Sequence, residues 1–397
     1  MVADAAPERI GIRIARERKR RGLTQLGLAQ RANYSRSHIA QVEARHKAAT
    51  PAFVAAVAEA LEVDPALIYG QPYRGVGSDD KAHAAIPELR RILACVGAGP
   101  EPDRPPRGLD ELERQIRQAR RLLLQVRLTR LGMMLPAVLE ELTWHAYETD
   151  SPKAWGLLFR AYYEAVSLTR RLGYTGDALA LLERAADAAR RSQDPHLPLL
   201  VSLPRALLLM SMNQNRTALR LLNDALSRVE ADRPDAGEVA GALELRAAVV
   251  AARTRDGVSE AWEHRGRAAE LAEAGRVGDG RHGMEFGMSN VAVHGAAIAV
   301  ELGDLDEAVR RDRDIRQRQV LEGMAPERRA HHEIDMSRAL LELGDYDQAL
   351  ARVENAERIA SQMTYFHPSA RSVVAHLVDV RRTLPEPLRR LQSRMGV

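Results

Sequence analysis

Apolar and polar positions recur with helical spacing along residues 10–70, and the residues between them mark out five short elements. Ile10 to Arg21 predicts a first helix, which stops at Gly22. Thr24 offers its hydroxyl to a free backbone N–H at the start of a second helix running to about Ala32, with Leu28 and Ala29 on its buried side. Asn33 follows, a residue type that tolerates the left-handed conformation a sharp helix exit needs. Ser35 caps a third helix whose Ile39 and Val42 point inward, leaving Arg36, Ser37, His38 and Gln41 facing out. Thr50-Pro51 begins a fourth helix with an apolar face of Phe53, Val54, Val57 and Leu61. Asp64-Pro65 begins a fifth that ends near Tyr69-Gly70.

From Gln71 the periodicity breaks. QPYRGVGSDD is rich in turn formers, a short apolar piece spans Ile86 to Val96, and residues 97–108 hold four prolines and three glycines. Such a run continues neither a helix nor a sheet interior, so 71–108 is expected to be a proline-stiffened connector. Beyond Leu109 the sequence repeats. ELGDLDEAV (301–309) parallels ELGDYDQAL (342–350), with weaker copies in RLGYTGDAL (171–179) and MNQNRTAL (212–219). Small residues form a ladder, Ala137, Ala178, Ala218, Ala261, Ala308 and Ala349, at spacings of 41, 40, 43, 47 and 41. Ala185, Ala225, Ala268 and Ala356 recur seven residues on, two helical turns along the same face. Small residues at each step permit close helix approach, so stacked helical hairpins are expected, six of them plus a last helix near Pro385 to Met395. The expected units are a head over 1–70, a Pro/Gly-rich connector with a short helix over 71–108, repeats over 109–383 and a capping helix over 384–397.

Composition narrows the class. The 397 residues are 45% hydrophobic and only 4% aromatic, favouring an all-α chain with real cores. Cys95 is the single cysteine, so no disulfide framework or cysteine-built metal site is possible, in keeping with a reducing cytoplasm. The first residues lack an apolar signal core and no uncharged run nears about 18 residues, so no membrane partner is expected. Residues 1–78 carry twelve basic and seven acidic residues, while the rest of the chain is nearly balanced. Positive charge is thus concentrated where a polar-fronted helix could enter a DNA major groove. Arg45, His46 and Lys47 form a basic loop after that helix, well placed for phosphates.

Ile10-Gly11, Ile14, Arg18, GLTQ (22–25), the 33–43 turn and helix, Thr50-Pro51 and ALEVDPALIYG (60–70) together resemble the five-helix domain of XRE-type, phage-repressor-like helix-turn-helix regulators. The resemblance implies that Gln25 contacts a phosphate beside the capping Thr24, and that Arg36, Ser37 and Gln41 read bases. Ser35, His38, Arg45 and Lys47 complete the expected DNA-contacting set, and Arg18 would pair with Glu43 as a strut. Two departures are Asn33 for the usual turn glycine and Glu17 for the usual leucine.

The Gly-Asp cores at 303–304 and 344–345 resemble tetratricopeptide repeats, with a period longer than the usual 34 or so; armadillo- or HEAT-like stacking is the alternative. The resemblance implies a right-handed superhelix of about six hairpins. It also implies ligand-facing positions at set offsets before each Gly-Asp turn: Arg160, Tyr163, Arg246, Arg253, Asn290, His294, His331 and Arg338. Arginine, asparagine, histidine and tyrosine on a concave wall suit peptide carbonyls and a carboxylate. The two halves together resemble peptide-pheromone receptor regulators of Gram-positive bacteria. That implies a homodimeric transcription factor binding a double-stranded operator and sensing a short peptide or small molecule. The alternatives are a DNA-tethered docking scaffold for another protein, or a dimeric regulator without a ligand. With no nucleophile elbow, phosphate loop, dinucleotide fingerprint or metal-ligand spacing, no catalytic residue, metal or cofactor is expected, and an enzyme is not.

Overall fold

The computed structural model describes residues 9–73, 78–95, 105–277 and 280–397, and it is all-α. The head comprises α1 (Ile10–Arg20), α2 (Gln25–Ala32), α3 (Arg36–Glu43), α4 (Pro51–Ala60) and α5 (Pro65–Tyr69). Its boundaries follow from caps: Thr24, Ser35, Thr50 and Asp64 each accept a backbone N–H in the first turn of the helix that follows. Asn33 closes α2 at φ 57°. Ile14, Leu28, Ile39, Phe53, Val57 and Leu61 form the head's own core. Gly11 lets α1 approach α3 directly, since a Cβ there would stand 2.2 Å from the Val42 carbonyl oxygen. Glu17 is almost fully buried but clamped by Arg16, Arg20 and Arg21 at 3.2, 3.4 and 3.1 Å. Burial opposes its charge, yet the hydrogen bonds from Arg16 and Arg21 hold its carboxyl below the usual range. The departure from leucine is thereby accommodated.

The connector reading needs revision. Residues 78–84 form a 3-10 turn and α6 (Ala85–Ala94) follows, and Ala82, Ala85, Ile86, Leu89 and Ile92 join the repeat core. His83 sits between Tyr73 and Tyr174, donating from Nε2 to the Tyr73 carbonyl (3.1 Å) and accepting at Nδ1 from the Tyr174 hydroxyl (3.1 Å). The apolar face of 86–92 was visible in sequence, and a face of that size is buried rather than left on a connector. Of the Pro/Gly run, residues 97–104 lie outside the described residues.

Six hairpins follow: α7 (Leu109–Leu124) with α8 (Leu128–Thr149), α9 (Pro152–Arg171) with α10 (Thr175–Arg191), and, after the short α11 (Leu197–Leu200), α12 (Ser202–Ser211) with α13 (Asn215–Ser227). The others are α14 (Ala236–Ala251) with α15 (Val258–Glu273), α16 (Met288–Leu302) with α17 (Leu305–Gln317), and α18 (Pro326–Glu342) with α19 (Tyr346–Phe366). The Gly-Asp signature works as two opposed caps. Gly303 and Gly344 end their helices at φ 75° and 81°, and the next residue's N–H returns to the Ala299 or Leu340 carbonyl. Asp304 and Asp345 then accept from Glu307 and Gln348, opening the second helix. Ala178, Ala218, Ala261, Ala308 and Ala349 all occupy the fourth position of that second helix and are fully buried. Ala137 is the exception. It is exposed on α8, and the matching position is the buried Leu131. The expected last helix, α21 (Glu386–Met395), is not a lone cap but packs on α20 (Pro368–Val380) as a seventh pair.

The stack curls until its ends meet. α18 lies against α7, Arg171 reaches Glu327 at 2.6 Å, and Gln362 donates to the Thr129 hydroxyl at 2.8 Å. The head docks on this ring: Asn213 and Gln214 donate to Glu59 at 2.6 and 3.0 Å, and just beyond the head Arg371 stacks over the Tyr73 ring at 3.9 Å. Among the described residues no helix is long and apolar enough to cross a membrane.

Candidate functional site

Two sites emerge. The first is the outer face of α3. Arg36, Ser37 and Gln41 are exposed together, with Gln41 Nε2 donating to Ser37 Oγ at 3.4 Å. Beneath them Arg18 grips Glu43 with two bonds of 2.7 and 2.8 Å and also donates to the Leu23 carbonyl at 2.7 Å. Gln25 donates to the same Glu43 at 2.9 Å, tying the start of α2 to the end of α3. The Thr24 and Ser35 hydroxyls are engaged as caps at 3.0 and 3.1 Å. Lys47 is exposed, whereas Arg45 faces Asp379 of α20 at 3.7 Å. His38 does not belong to the outward set. Its ring stacks on Phe53 (centroids 4.7 Å apart, 11° between planes) with Tyr34 edge-on at 5.1 Å, and burial pushes its pKa down. Phe53 and Tyr34 lie within stacking reach, and packing there outweighs an outward rotamer.

The second site is the cavity inside the ring, about 430 Å³. That lies in the range of small-ligand pockets, about 300–1,000 Å³. Of the eight residues the repeat offsets single out, Tyr163, Arg246, Arg253, Asn290, His294, His331 and Arg338 line it; Arg160 does not. The face on α9 runs instead through Tyr163, Ser167 and Arg170, so Arg160 lies one turn beyond the cavity's end. Arg120, Arg170, Arg171, Arg328, Glu301 and Glu327 are lining residues that the offsets miss. The signal for two of them was present: Arg170 and Arg328 continue the same faces by a further helical step. Apolar lining comes from Leu203, Leu207, Leu245, Phe286, Met363 and Phe366. Pro51 and Tyr69 of the head, with Gln71 just after it, complete the wall.

Some of these groups are already engaged. Glu301 accepts from Arg253 Nε at 2.6 Å and Arg338 at 2.9 Å, bridging three successive hairpins. Burial works against the Glu301 charge, but the two guanidiniums hold its pKa down to about 2. The Tyr69 hydroxyl faces this triad and is pushed up to about 12 by burial. His294 donates from Nδ1 to the Asn290 carbonyl (2.8 Å) and is driven well below its ordinary value by burial and then by Arg328 and Arg246. Asn290 donates to the Glu285 carbonyl at 3.0 Å while its buried Oδ1 has no partner, an acceptor open to an N–H.

A separate cluster joins Asp194, Asp235 and His282, the one group of three possible metal ligands among the described residues. Asp235 Oδ2 receives His196 and His282 at 2.9 and 2.8 Å, and Arg233 reaches both carboxylates at 3.3 Å. The cation and the hydrogen bonds satisfy the carboxylates, which reads as a structural tie between loops.

A family model described as a helix-turn-helix domain matches residues 9–68. No curated protein matches the chain. Among solved structures the chain is similar to BtubC (BKLC) from P. vanneervenii, at 22% identity over 69% of this chain and 96% of that one, with a TM-score of 0.38. It is also similar to Bacillus thuringiensis PlcR in complex with the peptide PapR7 and DNA, at 13% identity over 86% and 99%, with a TM-score of 0.31. A Rap protein complexed with Competence and Sporulation Factor gives 12% identity over 90% and 99%, with a TM-score of 0.43. Residues 9–68 are a helix-turn-helix domain, and the chain that carries it continues into a ring of helical hairpins.

Proposed function

We propose that this chain is a sequence-specific transcriptional regulator of the XRE type whose repeat ring senses a short peptide or another small ligand. Arg36, Ser37 and Gln41 read base edges, while Gln25, Lys47 and the helix caps hold phosphates. Arg45 joins them once it leaves Asp379. The observation that carries the sensing role is that the cavity wall is shared: Pro51 and Tyr69 of the head, with Gln71 just after it, close a pocket otherwise built by the repeats. A ligand that binds differently with the head docked or displaced shifts the head's position, and only such a differential affinity can do so. The open acceptor at Asn290 and the apolar lining suit a peptide backbone with apolar side chains. Closure of the ring at Arg171–Glu327 favours a small occupant over a docked protein, which would need an open concave wall. Two heads on half-sites about one helical turn apart imply a homodimer working in the cytoplasm.

The test is fluorescence anisotropy of the full chain on its own upstream DNA at two salt concentrations, against a scrambled competitor and with a short-peptide library. Selective, salt-sensitive binding that a peptide alters is the expected result. Trp144, Trp155 and Trp262 all lie in the repeats, so their emission reports occupancy of the ring alone. Absence of selective binding at low salt would remove the regulator reading.

A further inference from the structure

Charge in the cavity is unbalanced. Among the described residues seven arginines and four carboxylates line it. Glu301 is taken by Arg253 and Arg338, Glu327 by Arg171 (2.6 Å) and His331 (3.3 Å), and Asp335 faces Arg338 at 3.5 Å. Arg120 bonds the Gly283 carbonyl and Glu164. Three guanidiniums remain, Arg170 on α9, Arg246 on α14 and Arg328 on α18, and among the described residues none of them is ion-paired. The Arg246 Nε is sealed from solvent with no hydrogen-bond partner. The three also act on one another. Burial lowers Arg170 to about 9 with Arg171 and Arg246 adding, and lowers Arg246 to about 10 with Arg328 adding. The remaining carboxyl, Glu285, is pushed up by burial toward its neutral form. A half-buried cation without a counter-charge costs stability, and a chain retains several in one cavity where something else neutralises them.

We propose that Arg170, Arg246 and Arg328 form an oxyanion-binding subsite in the wall of the ring's cavity, which receives a carboxylate or phosphoryl group of the ligand. Guanidiniums suit this role because each presents a planar pair of donors to two oxygens. The inference deepens the sensing reading and rests on it, since it treats the cavity as a ligand pocket and names the ligand's charge.

The subsite is tested on the full chain by thermal unfolding with inorganic pyrophosphate as the probe, comparing the parent with Arg170→Gln, Arg246→Gln and Arg328→Gln. Two results are expected together. Without the probe, Arg246→Gln and Arg328→Gln melt above the parent, because each removes an unneutralised charge. With pyrophosphate the parent is protected in a salt-sensitive manner, and each variant binds about tenfold more weakly or worse. Variants that melt below the parent would make these arginines structural and overturn the proposal. Protection undiminished in the variants would place the anion on the head's basic surface and overturn it equally. A pentapeptide of alanine and leucine, with a free or an amidated C-terminus, identifies the source: protection by the free form alone indicates a carboxylate, and by pyrophosphate alone a phosphoryl group. Anisotropy on the same samples separates this inference from its parent reading. An anion site with unaltered DNA binding leaves the subsite standing and removes sensing.

Discussion

Replacing Arg18 by methionine strikes the joint that sets α3 against the rest of the head. The guanidinium makes two charge-assisted bonds to Glu43 and a third to the Leu23 carbonyl, with the two side chains only 11% and 8% exposed. Arg18→Met leaves the Glu43 carboxylate largely buried with Gln25 as its one remaining side-chain donor among the described residues. Breaking a buried pair by removing one partner costs about 3–5 kcal/mol, whereas replacing both by apolar groups is often neutral. A domain of about 60 residues has only about 3–9 kcal/mol in total, so the single change removes much of the head's stability. Hydrogen exchange of the α1 and α3 amides in the full chain measures it directly: protection should fall by roughly two to three and a half orders of magnitude at about 1.4 kcal/mol per decade. Arg18→Met combined with Glu43→Leu should recover most of that loss. DNA affinity should follow the same order, lowest for the single variant. Additive costs in the double variant, or a single-variant cost below about 1 kcal/mol, would refute the strut and leave the pair as an ordinary surface contact.

Three further outcomes are expected. Arg36→Ala or Gln41→Ala should cost about 1–3 kcal/mol on the preferred operator and relax one base position, whereas Lys47→Ala should weaken all sequences alike and lower the salt slope by about 1; competition anisotropy that finds equal effects would dismiss these roles. Gly241→Ala puts a Cβ 2.2 Å from the Phe286 ring, which lines the cavity, so overpacking should lower stability by about 1–3 kcal/mol and change tryptophan-reported ligand affinity; an unchanged Tm would show that the ring yields freely. Glu301 has a folded-state pKa of about 2 against an ordinary 4.5, so its contribution is present above pH 4.5 and lost as pH falls towards 2. Glu301→Gln should therefore flatten the Tm profile in that window, and an identical slope in both proteins would contradict the triad.

The head was legible because its instructions are local. Four caps, a left-handed Asn33 and two apolar stripes each act within a few residues, and each element forms where they place it. His38 escaped because helical phase alone cannot register that Phe53, fifteen residues on, offers its ring a face. Glu17 was visible as a departure, but its solution lies in Arg16, Arg20 and Arg21 beside it, whose pairing to one buried carboxylate no apolar pattern announces. The repeats were legible where Gly-Asp turns punctuate them. They were misregistered at Ala137, because the turn after α7 is made by Val126 (φ 53°), a residue type that gives no turn signal.

The cavity shows a different limit. Its wall could be read hairpin by hairpin, since residues spaced three and four apart on α9, α14, α16 and α18 share a face whatever the neighbours do. Its closure could not be read, because it depends on how much each stacked hairpin rotates from the last, a small angle that accumulates over six units. Arg171 and Glu327 are 156 residues apart, and Thr129 and Gln362 are 233 apart, so no local pattern announces either pair. The docking of Tyr69 over the Arg253–Glu301–Arg338 triad is of the same kind. Yet these long-range contacts turn a groove into a pocket and bring head and ring to one site. Arg338 links the two levels: its offset from Gly344 marked it as a wall residue, and the structure adds the carboxylate it shares with Arg253 and the head tyrosine above it. A ligand group that competes for that arginine would act at once on the ring's bridge and on the head's seat.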